Sequence, residues 1–312
     1  MSELDILCAD FNGALGLLRK LGARLDVIFP ADEPHSAILS HDGTTVRLRA
    51  AADVAEPSTR LPPFAPDFAV TRAGEAAEGR AGMRYRDLIP GRLGGRYIAS
   101  HISVADGPVA DWVHYHRIAF QLICVRRGWV RVAYEDQGEP FVMAAGDMVL
   151  QPPGIRHRVL EAGGGLEVVE IGCPALHETF AEHAMALPNG SGDPGRRWQG
   201  QRFLRHEAGD APWTPWHAGE AQETGLAEAT GGIAEARLIR SVEGRAMDVP
   251  AHDGELVFGF VCEGTGQLAG GGGSHDLGPG DAFVIPPDQG WALRRASRDF
   301  RLLHVATGHI AG

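Results

Sequence analysis

The hydrophobic positions of the first fifty residues change period several times. A short apolar run at 6–9 reads as a strand. Leu15, Leu17, Leu18 and Leu21 then recur at helical spacing within 14–21, and Gly22 follows as a stop signal. Alternating stretches at 25–29, 36–40 and 44–48 predict three strands, the last two joined by the turn His41-Asp42-Gly43. The predicted order is strand, helix, strand, strand, strand over 1–50. Residues 51–80 are rich in Ala, Pro and Glu with weak periodicity and read as a linker. A second composition break, through Pro188-Asn189-Gly190-Ser191-Gly192-Asp193, gives a linker over 187–200. The remaining segments, 81–186 and 201–312, are short, alternating and bounded by Gly or Pro, a pattern that predicts sandwiches or barrels.

These two β-rich segments repeat each other. Gly94-Gly95 stands before Gly107 at the separation that divides Gly231-Gly232 from Gly244. His116 and Gly128 are spaced like His252 and Gly264. Gly146-Asp147 leads to Pro152-Pro153 and then His157, and Gly280-Asp281 leads in equal steps to Pro286-Pro287 and then Trp291. A duplicated β domain accounts for this.

Composition narrows the class. A chain of 312 residues with 44% hydrophobic and 22% charged residues has material for large folded cores. The balance of 29 basic against 40 acidic side chains, a net charge of −11, argues against nucleic acid or an anionic membrane surface as partner. Lys20 is the single lysine, so the basic residues are almost all Arg. Apolar runs are strand-sized, far below a membrane span. The opening Met1-Ser2-Glu3-Leu4-Asp5 lacks the basic and apolar regions of a secretory leader. Cys8, Cys124, Cys173 and Cys262 form no C-x-x-C pair and read as buried reduced thiols. A cytoplasmic homodimer acting on a small molecule is the expectation. GxSxG, Walker A and HExxH signatures do not occur, and Gly270–Gly273 lacks the strand–helix setting of a phosphate loop.

Candidate chemistry lies in the first β segment. His114 and His116 are two apart, so on a strand both imidazoles project to one face and can present two nitrogens to one cation. Gln121 follows at the start of an apolar run, and His157 lies beyond the Pro152-Pro153-Gly154 turn. Three neutral imidazoles leave a divalent ion its full charge and open positions. Tyr115 should point away by alternation. Arg156 and Arg158 read as solvated or salt-bridged, and His101 as a neighbour of the cavity without a role.

The string Gly107-(six residues)-His114-Tyr115-His116-(four residues)-Gln121-(six residues)-Gly128, with Gly146-(five residues)-Pro152-Pro153-Gly154-Ile155-Arg156-His157, resembles the two sequence motifs of the cupin family. With the duplication, the chain is similar to bicupins. That resemblance implies a mainly β protein of two double-stranded β-helix barrels. It also implies a divalent transition metal held by His114, His116 and His157 with Gln121. Fe(II) is favoured, and Zn, Ni, Mn, Co and Cu also accept imidazole. Gln121 stands where the family pattern usually has Glu. It is read as a metal ligand or as a catalytic group orienting water or substrate, and an amide cannot act as a general base. In the second copy Pro250, Val257 and Trp291 replace His114, Gln121 and His157, leaving His252 alone, so that barrel should be metal-free. Residues 1–50, with the passage Leu21-Gly22-Ala23-Arg24-Leu25-Asp26-Val27-Ile28-Phe29-Pro30, resemble a βαβββ half-module of the glyoxalase/vicinal-oxygen-chelate family. Cys8 and Arg49 stand near that family's ligand positions, so a structural or dimerising role is expected.

The function implied is a metal-dependent oxygenase of dioxygenase type acting on a small oxygen-rich or aromatic organic acid. A non-redox isomerase or lyase and a non-catalytic small-ligand-binding cupin are the alternatives.

Overall fold

The structure, a computed structural model, describes residues 2–30, 32–52, 56–74, 76–78, 83–193, 195–242 and 245–310. Gly244, part of the repeat noted above, lies outside them.

At the N-terminus a helix, Phe11–Lys20, follows the strand Ser2–Cys8 and precedes strands Arg24–Phe29, Ser36–His41 and Thr44–Ala50. The helix starts three residues earlier than its leucine spacing suggests because Asp10 caps it, its side chain accepting the Gly13 amide at 2.9 Å. Ser2–Cys8 runs parallel to Thr44–Ala50, and the other pairs are antiparallel. Leu25, Ile28, Leu39, Val46 and Leu48 close a small core against Phe11.

The first barrel is built around two long strands, Phe120–Tyr134 and His157–Cys173, paired along nearly their whole length. Register breaks at Val125/Arg127, Arg127/Trp129 and Arg131/Val132 bend the pair so that one ribbon serves both halves of the barrel. The Phe120–Val125 stretch is apolar throughout apart from Gln121, because both of its faces are covered. Leu122 and Cys124 face the second barrel, while Ile123 and Val125 face the interior of the first.

The second barrel repeats the plan with Leu256–Glu263 and Arg301–Thr307 as the paired strands. A seven-stranded sheet faces a four-stranded one, around Val257, Phe283, Trp291, Phe300 and Leu302. Between the barrels lies the largest core, where Phe120, Leu122 and Ile171 meet Phe258, Phe260 and Val305. Buried Arg96 crosses this contact to donate from Nε and Nη2 to the two oxygens of Glu255, at 3.0 and 2.8 Å, and Tyr97 donates to the same carboxylate at 2.8 Å.

Two segments depart from the boundaries read in the sequence. Ala69–Thr71, inside the stretch read as a linker over 51–80, is a strand paired with Ala282–Ile285 of the second barrel. Leu204–His206, assigned above to the second barrel, pairs with Met148–Leu150 of the first. The two acceptor strands occupy corresponding places after Gly146-Asp147 and Gly280-Asp281. Each would otherwise leave an open sheet edge, and the connecting chain covers both edges reciprocally. Three-residue strands carry too little periodicity to be seen in sequence.

Among the described residues, no helix is long and apolar enough to cross a membrane.

Candidate metal centre

His114 and His116 occupy the short strand His114–His116, with Tyr115 between them turned outward and stacked on Phe180 at a ring separation of 5.0 Å. His157 begins the long strand on the other side and sits directly opposite His114. The turn that delivers it is tied to the other site residues through the backbone. Gly154 N donates to His116 O at 3.2 Å, and Gln151 N donates to Gln121 O at 3.0 Å. Gly154 itself has φ +81°, which a Pro-Pro-Gly turn supplies without steric cost.

The three imidazoles converge. Ring centroids are 4.3 Å apart for His114 and His157, and 5.2 Å for each of these with His116. One potential ligand atom from each ring lies within 4.8 Å of the other two, and all three residues are buried. This is the one such group among the described residues. The outer nitrogens are held: His114 Nδ1 donates to Trp112 O at 2.8 Å and His157 Nδ1 to Ile155 O at 3.1 Å. His116 Nδ1 lies 2.9 Å from Thr179 Oγ1. A carbonyl can only accept, so in His114 and His157 the proton sits on Nδ1, and Nε2 is the nitrogen able to ligate a cation. Oriented rings with inward lone pairs are the chemistry of a divalent-metal site, and the residues fit such an ion.

The N-terminal unit reaches this site. Thr179, which holds the His116 ring, is opposite Ile28 on Arg24–Phe29 and opposite His116 on the other side. Its sheet is thereby continuous with the strand carrying the first two histidines.

The three histidines line a cavity of about 110 Å³. Its walls are mostly apolar: Met83, Ile102, Ile123, Val130, Val132 and Val168 are among them. Gln121 lines the same cavity, 2% exposed, and its Nε2 donates to Glu170 at 2.8 Å. Tyr134 stacks on His157 at 5.6 Å and accepts a 2.8 Å hydrogen bond from Gln151. Burial pushes the Tyr134 phenol above its ordinary value, outweighing the Gln151 hydrogen bond, so the group stays protonated at neutral pH. Asp111 Oδ1 lies 3.5 Å from His114 Nδ1.

Glu170 and Asp111 add to the site expected from sequence. The three-histidine reading placed no acidic side chain beside the ion, but the carboxyl groups of Asp111 and Glu170 border the cavity. Neither was singled out in the sequence. Alternation with Val168 places Glu170 on the inner face, a signal usable only once the register of His157–Cys173 is known.

Other residues sit where they do no chemistry here. His101 faces the second barrel, 2.8 Å from Glu167 and against the Phe260 ring. Arg156 lies over Tyr115 and pairs with Glu182 at 3.2 Å. Burial pushes the Cys173 and Cys262 thiols up, to about 12 and about 11, which leaves them unreactive.

In the second barrel His252 Nε2 donates to Ile285 O at 3.1 Å. Trp291, at the place of His157, packs between Phe283 and His304 and fills the space of a site.

The family model described as Cupin domain matches residues 240–306, within this second barrel. No curated protein matches the chain. Among solved structures, the chain is similar to the salicylate 1,2-dioxygenase of Pseudaminobacter salicylatoxidans at a TM-score of 0.58 and 18% identity, covering 79% of this chain and 86% of that one. It is similar to the oxalate decarboxylase of Lactobacillus farciminis, in its formate complex, at 0.55 and 13%, covering 83% and 89%. Protein Ylba from E. coli matches at 0.55 and 10%, covering 82% and 96%. The chain therefore has the fold of a bicupin, two cupin-like barrels, of which the first gathers three histidines and the second carries Trp291 at the place of His157.

Proposed function

We propose that the first barrel is the active site of a metal-dependent oxygenase of dioxygenase type, acting on a small organic acid with an apolar or aromatic body. The observation that carries this reading is the convergence of His114, His116 and His157 on a cavity whose walls are mostly apolar. Those three residues would hold the ion, Fe(II) being favoured, with Gln121 beside them. When bound, such an ion supplies Lewis acidity, open positions for oxygen donors and, as iron, redox capacity toward dioxygen.

The chain's own residues do the rest. Ile102, Ile123, Val130, Val132 and Val168 take the substrate's apolar body and exclude water, so its oxygens are left to meet the histidines and Gln121. Tyr134, protonated and fixed by Gln151, offers an O–H to a substrate oxygen. The likeness in fold to a salicylate dioxygenase is consistent with an aromatic acid, whereas a wholly polar molecule such as oxalate would leave the apolar wall unfilled.

Glu170 and Tyr134 favour a second reading, a non-redox isomerase or lyase in which they move protons. Anaerobically purified protein loaded with Fe(II) and offered hydroxylated aromatic acids separates the two. Substrate-dependent oxygen uptake supports the oxygenase, and turnover that persists without oxygen supports the alternative. Binding without any product would leave a ligand-binding protein.

A further inference from the structure

We propose that Glu170 is the positioning residue of the histidine site. It turns the Gln121 amide so that the oxygen, Oε1, faces the three imidazoles as a fourth donor. This rests on the reading of the histidines as a metal centre and deepens it.

The two side chains meet diagonally across the central strand pair. Gln121 is opposite Gly172 and Glu170 is opposite Ile123, so both project from the cavity face two positions apart. Gln121 Nε2 donates to Glu170 Oε1 at 2.8 Å. An ionised carboxylate has only acceptors, so it requires the NH₂ arm of the amide. The amide is planar, and fixing its nitrogen on Glu170 sends its oxygen the other way. Without that partner the two arms are nearly isosteric, and the NH₂ arm turned to a cation would repel it. The carboxylate therefore decides whether position 121 supports or opposes an ion. The hydrogen bond from the NH₂ arm also polarises the amide and strengthens the oxygen as a donor.

The duplicated barrel supplies an internal control. There Val257 stands at the place of Gln121, opposite Ala306, and His304 stands at the place of Glu170, opposite Gly259. The amide–carboxylate pair and two of the three imidazoles are missing from the same barrel.

The test measures metal affinity in the full chain by chelator competition, using Mn(II) and Zn(II), together with the visible absorption of Co(II). In Glu170→Gln the new amide can accept or donate, the lock is lost, and affinity is expected to fall about 10–100-fold with a changed Co(II) spectrum. The reversed pair, Gln121→Glu with Glu170→Gln, restores a hydrogen bond across the strands and offers a carboxylate oxygen to the ion. Its affinity is expected to return at least to that of the unaltered protein. A purely structural Glu170 would move stability but neither the spectrum nor the rescue. Unchanged affinity and spectrum in Glu170→Gln, or a reversed pair as weak as the single variant, overturns the proposal while leaving the metal centre intact. If the unaltered chain takes up no divalent ion, the metal reading fails and this one with it.

Discussion

His114 and His157 are direct partners across an antiparallel strand pair, their rings 4.3 Å apart, although a whole hairpin of the barrel separates them in sequence. Removing either ring takes one of three converging nitrogens and should reduce a transition metal to weak, exchangeable binding. Elemental analysis of protein purified without added metal should find an ion in the unaltered chain and in His252→Ala, and almost none in His114→Ala or His157→Ala. Ion binding also stabilises, by about 2.7 kcal/mol when free metal is 100-fold above its Kd. Chelator treatment should accordingly lower the Tm of the unaltered chain and leave the histidine variants unmoved. Retention of metal by the triple His→Ala variant would exclude the site.

Arg96 and Glu255 join the barrels as a buried ion pair, 9% and 6% exposed in their side chains. Leaving one partner without the other in a buried setting costs about 3–5 kcal/mol, so Arg96→Ala should lower stability by that order in denaturant unfolding. Burial pushes the Glu255 carboxyl up, but hydrogen bonds from Arg96 and Tyr97 outweigh it and hold the group below its ordinary 4.5. A depressed carboxylate contributes its stability fully above that ordinary value and loses it as pH falls through the lower folded one. Unfolding curves at descending pH should show the difference between the unaltered chain and Glu255→Gln narrowing in acid. A constant difference would mean the carboxylate's charge is not what joins the barrels.

His304 is enclosed in the second barrel between Trp216 and Trp291. Burial, reinforced by Arg237, pushes its imidazole down from 6.5 to about 3. The unfolded chain therefore takes up a proton below pH 6.5 that the folded chain refuses until about pH 3. Across that window His304 makes stability fall with falling pH, by up to about 1.4 kcal/mol per unit. His304→Phe should flatten this slope between pH 6.5 and 4, measured by urea unfolding at each pH. Parallel slopes in the two proteins would refute the assignment.

Gly128 turns the long strand at φ +72°, and its counterpart Gly264 does so at +71°. A Cβ on Gly128 would lie 2.5 Å from the Gly163 carbonyl oxygen and 2.9 Å from the Leu166 backbone, and neither can withdraw as a side-chain tip could. Left-handed strain and overpacking together should cost about 2 kcal/mol or more in Gly128→Ala. The expected Tm loss is shared by Gly264→Ala, and a variant as stable as the parent would show that the bend can relax.

How far the sequence reaches can be judged from these residues. The repeat of His116–Gly128 and His252–Gly264 was legible because a positive-φ bend admits essentially glycine, so backbone geometry leaves a mark on residue type. Tyr115 could be placed outward, between His114 and His116, by strand alternation alone. Ala69–Thr71 and Leu204–His206 left no such mark. They are strands only because open edges in the other barrel accept their backbone groups, and hydrogen bonding of that kind is blind to side chains.

By itself the sequence determined the duplicated β architecture, the three histidines that can share an ion and the second barrel's loss of two of them. These follow from local rules: period, turn chemistry and the spacing of like residues. Only the tertiary structure decided that Glu170 meets Gln121, that the carboxyl groups of Asp111 and Glu170 border the cavity, and that the linkers knit the barrels together. Each depends on the register between strands far apart in the chain, where a shift of one residue would turn every side chain to the other face.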